Sequence, residues 1–326
     1  MPKKIIILVL FFLIGIGSFA YRDTLIRIYQ GFQGYLISKD RAKYYQLENA
    51  DIQDITQKLI DDPSTPTNLK EPLINGDRRI VVFKYLSGSD YVAGYLSYLT
   101  KGDYPLMIFL RGGNGFFGIT RPNNRFSFLN GYNIIGTLYR GNIYGGIDEW
   151  GGKDVEDVEN LIRFFPELKR FANIQFQTPY GMVGVSRGAM EMFIALSRSE
   201  YVKRNVTHAI SVSGNVDLAV SMQKRPEMSY LFRKKFQESG EEDFQSWLRK
   251  RDPVSNVANL PKSLKVLLVY GLEDNRVFLE EQKNLKTVLE AEGIDVKLVT
   301  IPEAKHGLDG YFSDFEAVFK KFMGKY

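Results

Sequence analysis

From residue 79 onward, short apolar runs alternate with amphipathic helical patterns, and this alternation narrows the choice of fold more than any other feature. Runs at 79–86, 91–98, 105–110, 133–139, 180–185, 207–213, 263–270 and 295–301 have the length and composition of strands. Between them, residues 153–165 place Val155, Val158, Leu161, Ile162 and Phe165 on one helical face, and residues 278–292 and 311–322 repeat the pattern. Ser87-Gly88-Ser89-Asp90 separates the first two runs as a hairpin would. After that hairpin, strands connected through helices predict a mostly parallel sheet covered on both faces. A chain of 326 residues that is 44% hydrophobic has enough apolar material for such a core.

One junction in this series carries chemistry. Gly184-Val185-Ser186-Arg187-Gly188 lies between the apolar run 180–185 and a helix-forming stretch at 188–197. Gly-x-Ser-x-Gly at a strand-to-helix turn is the nucleophile elbow of the α/β-hydrolase fold, where a strained turn holds the serine hydroxyl exposed. A serine at such a place can also be only a helix cap. The fold expected is therefore an α/β-hydrolase, with a mostly parallel sheet and helices on both faces.

The N-terminus has a different texture. Lys3-Lys4 precede an apolar stretch at 5–16, and small residues follow at Ser18 and Ala20. This fits a secretory signal cleaved after Ala20. The stretch is short for a spanning helix of about 20 residues, although an uncleaved anchor is the alternative reading. Either implies export: a secreted, periplasmic or membrane-anchored protein facing away from the cytoplasm, with membrane association through residues 4–20 in the anchored case. Residues 21–77 form an N-terminal extension in which 51–60 have helical spacing at Ile52, Ile55 and Leu59. Asp62-Pro63-Ser64-Thr65-Pro66 breaks that pattern, and the catalytic domain spans 78–326. Residues 218–252 interrupt the strand-helix rhythm as either a short helical excursion over the active-site mouth or an ordinary connecting pair.

A serine hydroxyl needs a base to take its proton. The chain has only two histidines. His208 falls inside a strand run and reads as structural, whereas His306 follows the last strand, at the sheet edge where ligands of open α/β sheets bind. The orienting acid should lie between Ser and His in chain order. Asp274 sits in the loop after the run 263–270, with Glu273 as competitor and a helix cap as the bland alternative. The oxyanion of an acyl-transfer intermediate needs backbone donors: the N–H of Arg187 after the nucleophile, and one from the loop Arg111-Gly112-Gly113 after the strand ending at Leu110. Gly113 is the donor expected there. Arg111 and Gly112 are candidate substrate-binding positions. Arg111 and Arg187 either hold a substrate carboxylate or pair with local acids such as Glu149, Asp154 or Asp157.

Other classes find little support. A net charge of +5, spread without a basic run, argues against nucleic acid as a partner. The absence of cysteine excludes disulfides, thiolate metal sites and a cysteine nucleophile. Two histidines far apart give no metal cluster, and the glycine loop lacks the phosphate-binding patterns, so neither metal nor cofactor is expected.

Several motifs in this order resemble the catalytic domain of the prolyl oligopeptidase-like serine hydrolases, over roughly residues 79–326. They are Gly94-Tyr95-Leu96, Leu110-Arg111-Gly112-Gly113, Tyr139-Arg140-Gly141, the segment from Glu149-Trp150-Gly151-Gly152 to Val158, the elbow, Asp252-Pro253-Val254-Ser255, the segment from Gly271 to Val277, and His306-Gly307. The resemblance implies Ser186, Asp274 and His306 as the triad. About 55 residues between the leader and this domain are too few for the propeller that many such peptidases carry. Arg111 stands where relatives often have His or Tyr, so a Tyr hydroxyl is not available there to the oxyanion. The expected function is an exported serine hydrolase acting on a small ester or a peptide, peptidase-like or esterase-like. The alternative is a catalytically silent hydrolase fold that serves as a membrane-proximal binding module.

Overall fold

The computed structural model describes residues 43–47, 51–113, 126–308 and 311–324. The architecture below belongs to the compact unit Tyr44–Tyr326. The leader or anchor expected at residues 1–20, and the extension as far as residue 42, lie outside the described residues. No helix among the described residues is long and apolar enough to cross a membrane.

Among the described residues nine strands form one sheet: β1 (Ile52–Asp54), β2 (Arg78–Ser87), β3 (Asp90–Leu99), β4 (Pro105–Leu110), β5 (Asn133–Thr137), β6 (Gln177–Val185), β7 (Val206–Val212), β8 (Lys265–Gly271) and β9 (Asp295–Ile301). Their spatial order is β1-β2-β3-β5-β4-β6-β7-β8-β9. The β2–β3 hairpin pairs from Arg78↔Leu99 to Ser87↔Asp90, around the turn its sequence signals. β3 also pairs antiparallel with β5, and from β5 to β9 in that spatial order every pairing is parallel. This is the α/β-hydrolase fold.

Period-two alternation divides the core. In β4, Leu106, Ile108 and Leu110 join one buried cluster and Met107 and Phe109 the other. Helices α3 (Glu156–Arg163), α4 (Phe165–Ala172), α5 (Arg187–Arg198), α6 (Glu200–Asn205) and α10 (Leu279–Ala291) supply apolar side chains to the first cluster. Helices α1 (Thr56–Asp61), α2 (Thr67–Ile74) and α11 (Phe312–Met323) supply them to the second. There Phe128 meets Phe315 edge-on at 4.9 Å. The interrupted region folds as α7 (Leu218–Lys224), α8 (Pro226–Ser239) and α9 (Phe244–Arg249) around its own small core of Phe232, Trp247 and Met228.

Several boundaries depart from the sequence reading; the run at 180–185, for one, begins as a strand at Gln177. Residues 51–60 are not one helix. Ile52, Gln53 and Asp54 pair antiparallel with Phe83, Val82 and Val81, and α1 begins only at Thr56, whose N–H is capped by Asp54. The open edge of β2 offers a hydrogen-bond ladder that outcompetes the local helical spacing, which sends Ile52 and Ile55 to opposite faces of the sheet. Strand β5 stops at Thr137 rather than 139, because Tyr139 takes φ +59° and turns the chain. The helix read at 153–165 opens as a 3₁₀ turn, Lys153–Val155, before α3.

Candidate active site

The central strands deliver the site to one sheet edge. Ser186 stands at the end of β6, immediately before α5, with φ 55° and ψ −119°. Such a backbone costs a non-glycine residue on the order of 1–3 kcal/mol and is held only where its surroundings over-determine it. Here the Ser186 N–H donates to the Val212 carbonyl at 2.9 Å, and its own carbonyl accepts from Ala189 and Asn215. Packing then locks the turn. A Cβ on Gly188 would lie 2.0 Å from the Leu110 carbonyl oxygen, so the first turn of α5 rests directly on the end of β4.

Asp274 lies in the loop after β8, and His306 begins a short 3₁₀ turn after β9. His306 Nδ1 is 2.9 Å from Asp274 Oδ2 and 3.1 Å from Oδ1. The same carboxylate also accepts from the Arg276 and Val277 amides at 2.8 and 3.1 Å. Burial works to raise the Asp274 carboxyl. The bonds from His306 and the two amides outweigh it and hold the group below its usual range. Glu273, the competitor, is exposed. The Gly307 N–H donates to Ser213 Oγ at 3.0 Å and so ties the histidine turn to the end of β7. His208 is 7% exposed, with its ring edge-on to Phe322 at 5.4 Å, on β7 away from this edge.

Ser186 and His306 line one cavity of about 190 Å³, together with Gly112, Gly113 and Arg187. A Cβ on Gly112 would fall 2.9 Å from Ser186 Cβ and 3.6 Å from its Oγ, which measures how closely the glycine loop approaches the Ser186 turn. Gly113 has φ +65°. Residues 114 and 115 of this loop lie outside the described residues.

The arginines have other work. Arg111 is 2% exposed and gives its guanidinium to the carbonyls of Gly112, Gly113 and Leu138, over the Tyr139 ring at 4.9 Å. Its charged head braces the loop from inside, and its partners there are backbone carbonyls rather than the local acids Glu149, Asp154 or Asp157. Arg187 is 1% exposed and pairs with Asp148, Asp154 and Glu191 at 2.6, 2.6 and 2.9 Å, between the rings of Tyr139 and Trp150. Of the acids expected to neutralise it, only Asp154 does so. Asp157 is engaged by Arg140 at 2.7 Å, and Glu149 lies 4.0 Å from Arg251. Burial and the nearby Asp154 carboxylate push Glu191 well above its ordinary value. The acidic segment before α3 thus anchors loops, with Asp154 fixing Arg187, the residue that follows Ser186.

Sequence reasoning passed over Asn215, Arg225 and Met228, which line the same cavity. Asn215 follows the C-terminal end of β7, and position at that edge was the signal available. Beneath it, Ser221 Oγ hydrogen-bonds Asn215 Oδ1 and also lies 3.3 Å from Glu281 Oε2. Glu281 is fully buried. Its place one turn before Leu285 and two before Leu289 puts it on the apolar stripe of α10, a pattern visible in the sequence. Burial pushes its carboxyl up to about 8. The folded state therefore binds a proton that the unfolded chain releases from about pH 4.3. Stability from this group is complete below that value and is lost as pH rises toward 8. In denaturant titrations between pH 5 and 8, wild type is expected to lose up to about 1.4 kcal/mol per pH unit relative to Glu281→Gln. Parallel slopes for the two proteins would contradict this assignment.

Residues 131–323, more than half of the chain, match the prolyl oligopeptidase family. The chain belongs to that family. Among curated relatives, acylamino-acid-releasing enzyme 1 of Oryza sativa subsp. japonica is 24% identical over 282 residues, covering 79% of this chain and 35% of the relative. The chain thus spans about a third of that protein's length. Among solved structures, the Pyrococcus horikoshii acylaminoacyl peptidase superposes with a TM-score of 0.62 at 20% identity, covering 79% of this chain and 43% of that one. A phosphonate-inhibited esterase B from Lactobacillus rhamnosis superposes with a TM-score of 0.59 at 14% identity over 93% of this chain and 95% of that one. At these identities the structural likeness establishes the fold, with peptidases and esterases among its neighbours.

Proposed function

We propose that this protein is an exported serine hydrolase that cleaves an ester or amide through an acyl-enzyme on Ser186. The observation that carries the reading is that Ser186 and His306 line one cavity while His306 Nδ1 is held by Asp274. Ser186 Oγ attacks the substrate carbonyl and His306 takes its proton. Asp274 keeps the imidazole oriented and stabilises its cation. The backbone N–H groups of Gly113 and Arg187 receive the developing oxyanion, a contribution of roughly 3–4 kcal/mol per donor. His306 then returns the proton to the leaving group, and water releases the acyl group by the reverse sequence. Family membership supports acyl-transfer chemistry, and both peptidases and esterases share the fold. Export is supported by Lys3-Lys4, the apolar stretch at 5–16 and the small residues Ser18 and Ala20.

A fluorophosphonate probe tests the reading directly. It is expected to label wild type at Ser186 and to leave Ser186→Ala unlabelled. A folded wild type that resists the probe, or equal labelling of the variant, would refute an activated serine at this position.

A further inference from the structure

The described residues lining the cavity include four arginines and no carboxylate. Two of the four, Arg111 and Arg187, are neutralised or braced from behind, as described above. Arg225 is paired along one edge of its guanidinium alone. It caps the junction of α7 and α8 with its side chain 18% exposed, gives its Nε to Glu227 at 3.0 Å, and has no partner on its Nη atoms among the described residues. Asn215, 2% exposed, lines the same cavity. Its Oδ1 is taken by Ser221, and its Nδ2 is buried without a hydrogen-bond partner. A buried amide N–H left unsatisfied is costly, and a guanidinium in a cavity wall offers a planar fork that matches a carboxylate. Met228 supplies an apolar surface beside them, suited to a methylene chain.

Resting on the serine-hydrolase reading, we propose that Arg225 and Asn215 form a specificity subsite for substrates carrying a carboxylate, such as hemiesters of aliphatic dicarboxylic acids. The carboxylate accepts from the Arg225 guanidinium and from Asn215 Nδ2, while the ester carbonyl reaches Ser186. The helical excursion that contributes Arg225 and Met228 then takes part in selecting substrate.

The test compares p-nitrophenyl hemiesters of adipate and suberate with the length-matched heptanoate and nonanoate esters. Wild type is expected to favour at least one hemiester over its neutral match by about tenfold or more in kcat/KM, the usual scale of one charge-assisted hydrogen bond. Arg225→Gln should lower that ratio about tenfold, mainly through KM, and Arg225→Glu should invert it. A wild-type preference for both neutral esters, or a ratio unchanged in Arg225→Gln, overturns the subsite. Calorimetric binding of the same hemiesters to Ser186→Ala, with and without Arg225→Gln, reads the subsite without turnover. Binding that depends on Arg225, combined with no turnover of any ester by wild type, would refute the hydrolase reading and leave the subsite standing.

Discussion

Replacing His306 by alanine is expected to lower kcat by roughly 10⁶, to about the same floor as Ser186→Ala and the double variant. On the proposed mechanism the three should agree because nucleophile and base act as one unit: without a proton acceptor the Ser186 hydroxyl would be inert, and without the hydroxyl the imidazole would have nothing to activate. Backbone donors and binding alone still leave about 10³–10⁴ over the uncatalysed reaction. Asp274→Asn should cost about 10⁴, since an amide in that place favours the wrong imidazole tautomer. The chain supplies its own control. His208, on β7 and packed edge-on against Phe322, should tolerate replacement by glutamine with turnover kept within about twofold. Steady-state hydrolysis of a p-nitrophenyl ester, with circular dichroism to verify folding, reads all five variants. Turnover that survives His306→Ala but not His208→Gln would reverse the assignment.

Gly188→Ala should be the most damaging small substitution in the fold. The added Cβ would sit 2.0 Å from the Leu110 oxygen, 2.6 Å from its carbon and 2.8 Å from the Arg111 oxygen, all of them backbone atoms that no rotamer change can move aside. Either α5 lifts off β4 or the end of β4 shifts. Overpacking of this kind costs about 3 kcal/mol or more. Because Leu110 leads into Arg111, Gly112 and Gly113, any folded fraction should also have a displaced glycine loop and reduced turnover. Gly131→Ala, with nothing within 4 Å of the new methyl, is the matched control and should stay within about 0.5 kcal/mol. Urea midpoints for the two variants decide the matter, and equal midpoints would show that the elbow is looser than its packing implies.

These features were not equally readable from the amino acids. The parallel strands, the elbow at Ser186 and the histidine turn rest on local patterns, apolar runs of strand length and glycines at fixed offsets, so the sequence alone exposes them. Ile52–Asp54 carries helical spacing yet forms a strand, because an edge ladder on β2 overrides that spacing, and the ladder does not exist until the sheet does. The charge at Arg187 had two readings because its partner Asp148 lies 39 residues earlier. Arg225, Met228 and Asn215 carry no motif, and they belong to the cavity only because α7 and α8 fold back toward the sheet edge. Glu281 looks like an ordinary acidic residue in the first turn of a helix until its alignment with Leu285 and Leu289 is counted.

The order of the strands also bears on how the molecule comes to be made. Ser186, Asp274 and His306 follow β6, β8 and β9, so the last residue of the proposed triad joins only when the final strand of the sheet has docked. Ser186 and His306 are 120 residues apart in the chain, and contacts of such long sequence separation are slow to close, because chain entropy must be lost before the contacts that offset it exist. A nascent or partly folded chain would therefore hold an exposed serine with no base beside it. Return of reactivity at Ser186 during refolding should then lag behind the recovery of helix and report completion of the sheet. A reactive serine would mark the finished protein.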